Sequence, residues 1–214
     1  MPTSFLALAY VECKDAPTRR RYGARRGGRA LGPNNSLSRE ALGHTGVMSL
    51  AMPAYPPYPP ARYTGEKGEV SARLKRRDEP PNLELGGTKY HYLATQKTTD
   101  GDFGLYRVDI APAGGGPGPH FHKTMSESFF VLSGSMRMHD GRDWVDASAG
   151  DYLYVPPGGV HGFRNESDQP ASILILFAPG APREDYFEGF PGLADMTDDQ
   201  RREFFVAHDN FWVQ

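Results

Sequence analysis

The sequence predicts an all-β fold, a barrel or sandwich of short strands, followed by a short helical tail. Runs of aromatic and β-branched residues recur from residue 69 onward, separated by turn residues at spacings of about 8–12 residues. No helical period interrupts these runs before residue 180. Glycine and proline, with 25 and 19 residues, make up about a fifth of the 214-residue chain, which indicates many tight turns.

The first 47 residues differ in charge from the rest of the chain. They contain eight Lys/Arg and three acids, a net charge of +5, so the remaining residues carry −7 of the total of −2. Because no period of 2 or 3.6 is sustained there, we predict a disordered basic extension over residues 1–47. We expect an over-extended start, with initiation near Met48 or Met52. An inert tail, or a basic arm that binds nucleic acid or acidic lipid, is the alternative.

Several classes of protein are disfavoured by composition. The near-neutral total charge argues against nucleic-acid binding by the whole chain, and no stretch approaches the ~18 consecutive apolar residues of a membrane span. The single Cys13 excludes an intrachain disulfide and fits a reducing compartment, so we expect a cytoplasmic protein. Residues 48–68 contain AMPAYPPYPPARY, whose prolines predict an extended linker.

The β-barrel is predicted over residues 69–180. Asp140-Gly141 between two of the runs indicates a hairpin. The segment ILILF (173–177) is apolar at every position, so we expect that strand to be covered on both faces. The predicted strands are KYHYLAT (89–95), FGLYRVDI (103–110), SFFVLSG (128–134), SMRMHD (135–140), DWVDA (143–147), DYLYVP (151–156) and ASILILFAP (171–179).

Residues 181–214 have a helical pattern. Pro182 suits the first position of one helix, and the segment from Thr197 to Gln200 is a capping-box candidate that opens another. We expect this tail to pack its aromatic residues on the barrel, with a mobile lid over a pocket as the alternative. The aromatic residues concerned are Tyr186, Phe187, Phe204, Phe205 and Trp212.

Two short segments contain residues suited to metal binding. His120 and His122 point to the same face of a strand, and a bend in the four residues after them would return Glu127 to that side. His161 follows a Pro-Gly turn at the start of another strand. Three imidazoles and one carboxylate would bind one divalent first-row metal ion per chain, and Fe, Mn, Ni, Co and Zn all accept this set. The resulting charge of +1 suits an anionic enolate or phenolate oxygen.

Residues 114–134 contain the spacing G-x5-H-x-H-x4-E-x6-G, and residues 150–165 contain G-x5-P-x-G-x2-H-x3-N. Both match the motifs of the cupin family, and over about residues 69–180 the chain resembles a single-domain cupin. The resemblance implies a double-stranded β-helix, which is an antiparallel jelly roll. It also implies that the metal ligands are His120, His122, Glu127 and His161. Because some cupins keep the fold without metal, a metal-free site is the alternative.

Strand alternation predicts the walls of a substrate pocket. Phe129, Val131 and Phe163 alternate with residues of the opposite face, so they should point inward with the candidate ligands. Phe130 and Leu132 should then point outward, and we expect them in the interface of a homodimer.

The resemblance leaves the reaction open, because cupins include dioxygenases, isomerases, decarboxylases, polyketide-modifying proteins and non-enzymatic binders. The ligand set leaves open coordination positions for substrate and O₂, and the Phe-rich tail resembles that of bacterial quercetin dioxygenase-like proteins. We therefore expect a metal-dependent dioxygenase, an oxidoreductase that acts on a small enolisable or aromatic hydroxyl compound with Glu127 as the catalytic base. The alternatives are a metal-assisted non-redox enzyme, such as an isomerase or polyketide cyclase-like protein, and a non-catalytic small-molecule-binding cupin.

Overall fold

The structure, a computed structural model, describes residues 58–213. The predicted disordered extension over residues 1–47 lies outside this range. Contacts divide the chain into two units, and in the unit that contains residues 58–73 the described residues form no helix or strand. All described helices and strands lie in the other unit, within residues 74–213. No helix in the described part of the chain is long and apolar enough to cross a membrane.

The described residues form a predominantly β domain with a partly helical C-terminal tail. The strands are β1 (Leu83–Leu85), β2 (Thr88–Ala94), β3 (Gly104–Ile110), β4 (His120–Phe121), β5 (Ser126–Ser133), β6 (Ser135–His139), β7 (Trp144–Ser148), β8 (Tyr152–Val155), β9 (Gly162–Arg164), β10 (Ala171–Ala178) and β11 (Phe211–Trp212). The helices are α1 (Arg183–Gly189), a 3₁₀ helix (Phe190–Asp195) and α2 (Asp198–Ala207).

The strands form a double-stranded β-helix, as predicted. One sheet has the order β1-β2-β3-β10-β5-β8, a second has the order β7-β6-β9, and β4 pairs with β11. In the large sheet β10 lies between β3 and β5, so a late strand is inserted between two early ones, as in a jelly roll. All seven predicted strands are present with small shifts at their ends. The short strands β1 and β11 were not predicted, because runs of two or three residues give no measurable alternation.

The central strand β10 is buried on one face. Ile173, Ile175 and Phe177 are at most 2% exposed and pack in the core, whereas Leu174 and Leu176 between them are only partly buried. The expectation that ILILF is covered on both faces is therefore wrong for the outer face. An apolar run alone cannot distinguish a strand between two layers from one at the surface of a barrel.

The hairpin between β6 and β7 and the capping box of α2 are both present, as predicted from the sequence. Between β6 and β7, Asp140 Oδ1 accepts hydrogen bonds from the backbone N–H groups of Arg142 and Asp143, both at 2.9 Å, which closes the predicted hairpin. Gly141 has a φ of +97°, a conformation that glycine adopts without steric cost. At the start of α2, the side chains of Thr197 and Gln200 each accept a hydrogen bond from the other's backbone N–H, which confirms the capping box.

The C-terminal tail packs on the barrel through its aromatic residues. Tyr186, Phe187 and Phe205 are buried, and the Phe187 ring lies 5.1 Å from that of Tyr90 and 5.3 Å from that of Tyr106. Strand β11 adds to this by pairing with β4, where Trp212 is opposite His120. The tail is therefore attached to the barrel by both aromatic packing and main-chain pairing.

Candidate metal centre

Four buried side chains converge inside the barrel. His120, His122, Glu127 and His161 each offer a ligand atom, these atoms all lie within 4.8 Å of one another, and each residue is at most 4% exposed. His120 lies in β4 and His122 just after it, Glu127 is in β5, and His161 immediately precedes β9. The backbones of His120 and His161 exchange two hydrogen bonds of 2.8 Å, which fixes one side of the cluster.

A bend between β4 and β5 brings Glu127 back to the side of the histidines, as the spacing predicts. The tail stabilises this bend, because the Asp209 carboxylate accepts hydrogen bonds from the backbone N–H groups of Lys123 and Thr124 at 2.9–3.1 Å. It also accepts one from the Thr124 hydroxyl at 2.7 Å. On the other side, Gly158 N–H donates to the carbonyl of His122 at 2.6 Å.

The hydrogen bonds of the three histidines determine which ring nitrogen faces the centre. Each Nδ1 contacts a backbone carbonyl oxygen, which can only accept, so each Nδ1 carries the proton and donates it. Each Nε2 is then the nitrogen that faces the centre of the cluster, as in a histidine that binds a metal through Nε2. The pairs are His120 with Gly118 at 2.9 Å, His122 with Asp209 at 2.5 Å and His161 with Gly159 at 3.0 Å.

The Glu127 carboxylate carries negative charge in this buried site. Burial on its own would raise the pKa of Glu127, but the charge of His161 and hydrogen bonds from His122 and His161 hold it well below its usual value. Burial likewise disfavours the charged form of His161, whereas the adjacent Glu127 carboxylate raises the His161 pKa above its usual value. Burial lowers the pKa of His120 to about 3, so this imidazole is neutral at ordinary pH. The Glu127 carboxylate is therefore negatively charged, with the adjacent His161 as its partner.

The donor set fits a divalent metal ion. Three inward-facing imidazole nitrogens and one carboxylate oxygen are ligands that first-row transition metals accept. Glu127 Oε2 lies 2.9 Å from His122 Nε2 and 2.7 Å from His161 Nε2, so these donors need only small shifts to share one ion. The cluster can therefore hold a metal, and its chemistry is compatible with several metal identities.

A cavity of about 310 Å³ lies next to the cluster. Glu127 and His120 form part of its wall, and residues of both the barrel and the tail form the rest. Its aromatic wall includes Tyr90, Phe163, Phe177, Tyr186, Phe187 and Trp212. A concave, largely apolar space with a few polar groups is typical of a site for a small molecule.

The three residues predicted to wall a substrate pocket occupy different positions. Phe163 lines the cavity. Phe129 points inward and is buried but does not line the cavity; its ring lies 5.8 Å from that of His161 and 5.3 Å from that of Phe163. Val131 also points inward and lines a separate space on the β6–β8 side of the barrel. Alternation predicted the face of each residue correctly, whereas the position of the cavity along the strand depends on side-chain packing.

Three residues of the tail contribute to the site without having been predicted to do so. The carbonyl of Asp209 orients His122, the Trp212 ring lies 5.3 Å from that of His120, and Arg183 lines the cavity. The sequence carries no indication that the Asp209 carbonyl orients His122, because every residue has a carbonyl group. The positive φ of Asp209, +56°, belongs to a conformation in which Asp and Asn are enriched, but the sequence does not reveal that conformation.

Replacing Asp209 with alanine should destabilise the bend and the metal site together. Alanine removes the hydrogen bonds to Lys123 and Thr124 and disfavours the positive φ, which should lower the free energy of unfolding by roughly 1–3 kcal/mol. Displacement of the carbonyl that orients His122 should weaken metal binding by roughly 10–100-fold. Denaturant unfolding and metal titration measure the two effects. Asp209→Asn tolerates the positive φ and keeps one acceptor oxygen, so it should lose less stability and less metal affinity than Asp209→Ala. Equal losses in the two variants would show that the Asp209 side chain does not stabilise the bend.

Comparison with known proteins finds one matching family model and several similar proteins. Residues 106–177 match the family model of the Cupin domain, a range that includes all four converging side chains. Quercetin 2,3-dioxygenase of Bacillus subtilis (strain 168) is 31% identical over 102 residues, which are 48% of this chain and 30% of that protein. Protein SchB of Streptomyces halstedii is 29% identical over 118 residues, 55% of this chain and 85% of that protein. An RmlC-like cupin from Shewanella frigidimarina, a solved structure, is 18% identical with a TM-score of 0.44, covering 54% of this chain and 96% of that one.

The matched region spans less than a third of the length of the Bacillus dioxygenase, so the likeness concerns the cupin domain. Within that domain both sequence motifs are complete, and the residues they specify meet in the core of a double-stranded β-helix. Residues 106–177 of this chain therefore match a cupin domain, in agreement with the two motifs and the fold.

Proposed function

We propose that this cupin is a metal-dependent dioxygenase that acts on a small enolisable or aromatic hydroxyl compound. The observation that carries the proposal is the position of the four-donor cluster beside an apolar, aromatic-walled cavity of about 310 Å³, whose wall includes His120 and Glu127. The similarity to quercetin 2,3-dioxygenase supports it. In this proposal His120, His122, Glu127 and His161 hold one divalent first-row metal ion. When bound, the metal supplies Lewis acidity toward a substrate oxygen and access to O₂ chemistry.

Glu127 is proposed to accept the proton of the substrate hydroxyl. Its contacts with His122 and His161 both use Oε2, which leaves Oε1 for this proton. Transfer converts the substrate hydroxyl into an anionic oxygen and the carboxylate into a neutral carboxylic acid, so charge and protons balance. A base within hydrogen-bonding reach of the hydroxyl typically contributes a factor of roughly 10²–10⁴ to the rate.

The aromatic wall is proposed to keep water away from the deprotonated substrate. Phe163 and Phe177 from the barrel, and Trp212 from the tail, line the cavity beside the cluster. Exclusion of water strengthens electrostatic interactions within the site and suppresses competing hydrolysis of reactive species.

An oxygen-uptake screen combined with elemental analysis tests the proposal. Protein purified without added metal is assayed with quercetin, catechol and acetylacetone, which represent flavonols, aromatic diols and enolisable diketones. We expect oxygen consumption with at least one class, in proportion to bound metal. Depletion of a compound without oxygen uptake would instead support a non-redox enzyme, and binding without turnover a non-catalytic cupin. Either result would contradict the dioxygenase proposal.

We also propose that the protein forms a homodimer through the outer face of the large sheet. Phe130 and Leu132 are 40% and 39% exposed there, and Tyr152 and Tyr154 on the adjacent β8 are 63% and 55% exposed. A contiguous exposed apolar patch of this kind is typical of an interaction surface. Light scattering of the full chain should show a dimer, and Phe130→Lys should make it monomeric. A monomeric wild-type protein at micromolar concentration would contradict the proposal.

A further inference from the structure

Arg183, the first residue of α1, is a buried cation in the wall of the cavity. It is 4% exposed and lines the same cavity as His120 and Glu127. Its Nη1 donates a hydrogen bond to the carbonyl of His208 at 2.8 Å, whereas its buried Nε has no hydrogen-bond partner. Among the described residues no carboxylate forms an ion pair with this guanidinium. The Nε donor is therefore left without an acceptor, and the charge without an ion-pair partner among the described residues.

Aromatic rings hold the guanidinium in place. Its central carbon lies 4.0 Å from the ring centroid of Tyr186 and 4.8 Å from that of Phe177. Cation–π contacts of this kind offset part of the cost of burying a charge. They do not satisfy an N–H donor, and an unpaired buried charge remains unfavourable. The neighbouring acid, Glu184, accepts a hydrogen bond from the hydroxyl of Tyr106 at 2.5 Å.

Arg183 and the metal centre both lie close to the ring of Phe177. The centroid of the Phe177 ring lies 6.2 Å from that of the His122 ring and 4.8 Å from the central carbon of the Arg183 guanidinium. Phe177 is also the partner of Glu127 in the pairing of β10 with β5. A small molecule in the cavity can therefore reach the metal donors and the guanidinium at once. Thr88, whose Oγ1 is likewise buried without a hydrogen-bond partner, also lines the cavity.

We infer that Arg183 binds a carboxylate of the substrate, so that the substrate class is an aromatic or otherwise apolar carboxylic acid that also carries the reacting hydroxyl. A carboxylate supplies the missing counter-charge and the acceptor for Nε, and guanidinium and carboxylate form the stronger, charge-assisted type of hydrogen bond. The inference rests on the proposed function in one respect, since it places the substrate in the cavity beside the metal centre.

Arg201 provides a matched control within the same cavity wall. Its Nη1 donates to the carbonyls of Leu193 and Met196 at 3.0 and 2.6 Å, and its Nη2 pairs with Asp198 at 2.5 Å. This guanidinium is satisfied by the protein itself. If any positive charge in the wall were sufficient to attract an anion, Arg201 and Arg183 would have equal effects on binding.

The test is calorimetric binding of cinnamate, 2-naphthoate and 4-hydroxybenzoate, each compared with its uncharged amide, to the full chain as purified. We expect the wild-type protein to bind at least one acid roughly 10–100-fold more tightly than its amide, the range of a charged hydrogen bond. Arg183→Gln should abolish this preference and leave the affinity for the amide unchanged. Arg201→Gln should keep the preference. Arg183→Lys, which retains the charge but not the planar fork, should keep part of it.

Melting temperature and metal content are measured for every variant, because the hydrogen bond from Arg183 to the His208 carbonyl also connects α1 to the end of α2. A purely structural role would lower the melting temperature of Arg183→Gln without changing the ratio of acid to amide affinity. That result would overturn the inference, as would binding of none of the acids by the wild-type protein. A preference for acids that persists in Arg183→Gln at full metal content would assign the carboxylate to the metal and overturn it as well. Oxygen uptake plays no part in this test, so the dioxygenase proposal can fail while the binding result stands.

Discussion

Glu127→Gln should lower the turnover per bound metal ion by roughly 10²–10⁴-fold, the usual effect of removing a general base. Glutamine keeps the size of the side chain and one carbonyl oxygen but removes the charge and the ability to accept the proton. The buried cluster places the Glu127 carboxylate against His122 and His161. Activity, metal content and the pH profile are measured on the same preparation, so that loss of metal and loss of the base are separated.

The pH profile distinguishes a base from a structural ligand. If Glu127 accepts the substrate proton, residual turnover of Glu127→Gln should rise with pH, because more of the substrate is already deprotonated. The exposed Glu203 on α2 gives a control, since Glu203→Gln makes the same chemical change away from the site and should have wild-type activity. Full activity per metal ion in Glu127→Gln at neutral pH would leave Glu127 as a ligand alone and refute the proton transfer.

His161→Ala should remove most of the bound metal. His161 is fully buried, and its Nε2 lies 2.7 Å from Glu127 Oε2 at the centre of the cluster. Loss of one of four ligands opens the site to water, and the decrease in affinity should exceed the roughly 10–100-fold that follows loss of an outer hydrogen-bond partner. Elemental analysis after dialysis gives the number of metal ions per chain.

A second histidine serves as the control for this experiment. His139 at the end of β6 lies outside the cluster, where its Nδ1 accepts a hydrogen bond from Gly141 N–H, so His139→Ala should retain its metal. Melting temperatures show whether His161→Ala remains folded, since it loses a buried imidazole. Stoichiometric metal in a folded His161→Ala protein would mean that the metal site lies elsewhere.

Much of the fold follows from local sequence chemistry. Alternation of aromatic and branched residues placed β2, β3 and β10 almost at their final limits, because side chains on a pleated strand must alternate between core and solvent. Thr197 and Gln200 marked the start of α2 because their side chains bond to backbone groups only three residues away. Interactions of such short range can be predicted without knowing the rest of the chain.

The candidate ligands were also predictable, for a different reason. Strand alternation places His120 and His122 on one face, and the resemblance to the two cupin motifs adds Glu127 and His161 to the set. The sequence did not indicate how the cluster is supported. The carbonyl of Asp209 reaches His122 from 87 residues away, and the pairing of β11 with β4 that accompanies it involves only two residues.

The sequence by itself determined the seven longer strands, the cap of α2 and the shared face of His120 and His122, because each depends on periodicity or chemistry over a few residues. Glu127 and His161 were assigned to the site through the resemblance to the cupin motifs. Only the tertiary structure decided where the cavity lies, that Phe163 but not Phe129 or Val131 lines it, and that Arg183 is buried in its wall without a carboxylate partner. These features depend on how the tail packs against the barrel. That packing depends on many contacts between residues far apart in the sequence, so it cannot be predicted from the spacing of residues along the chain.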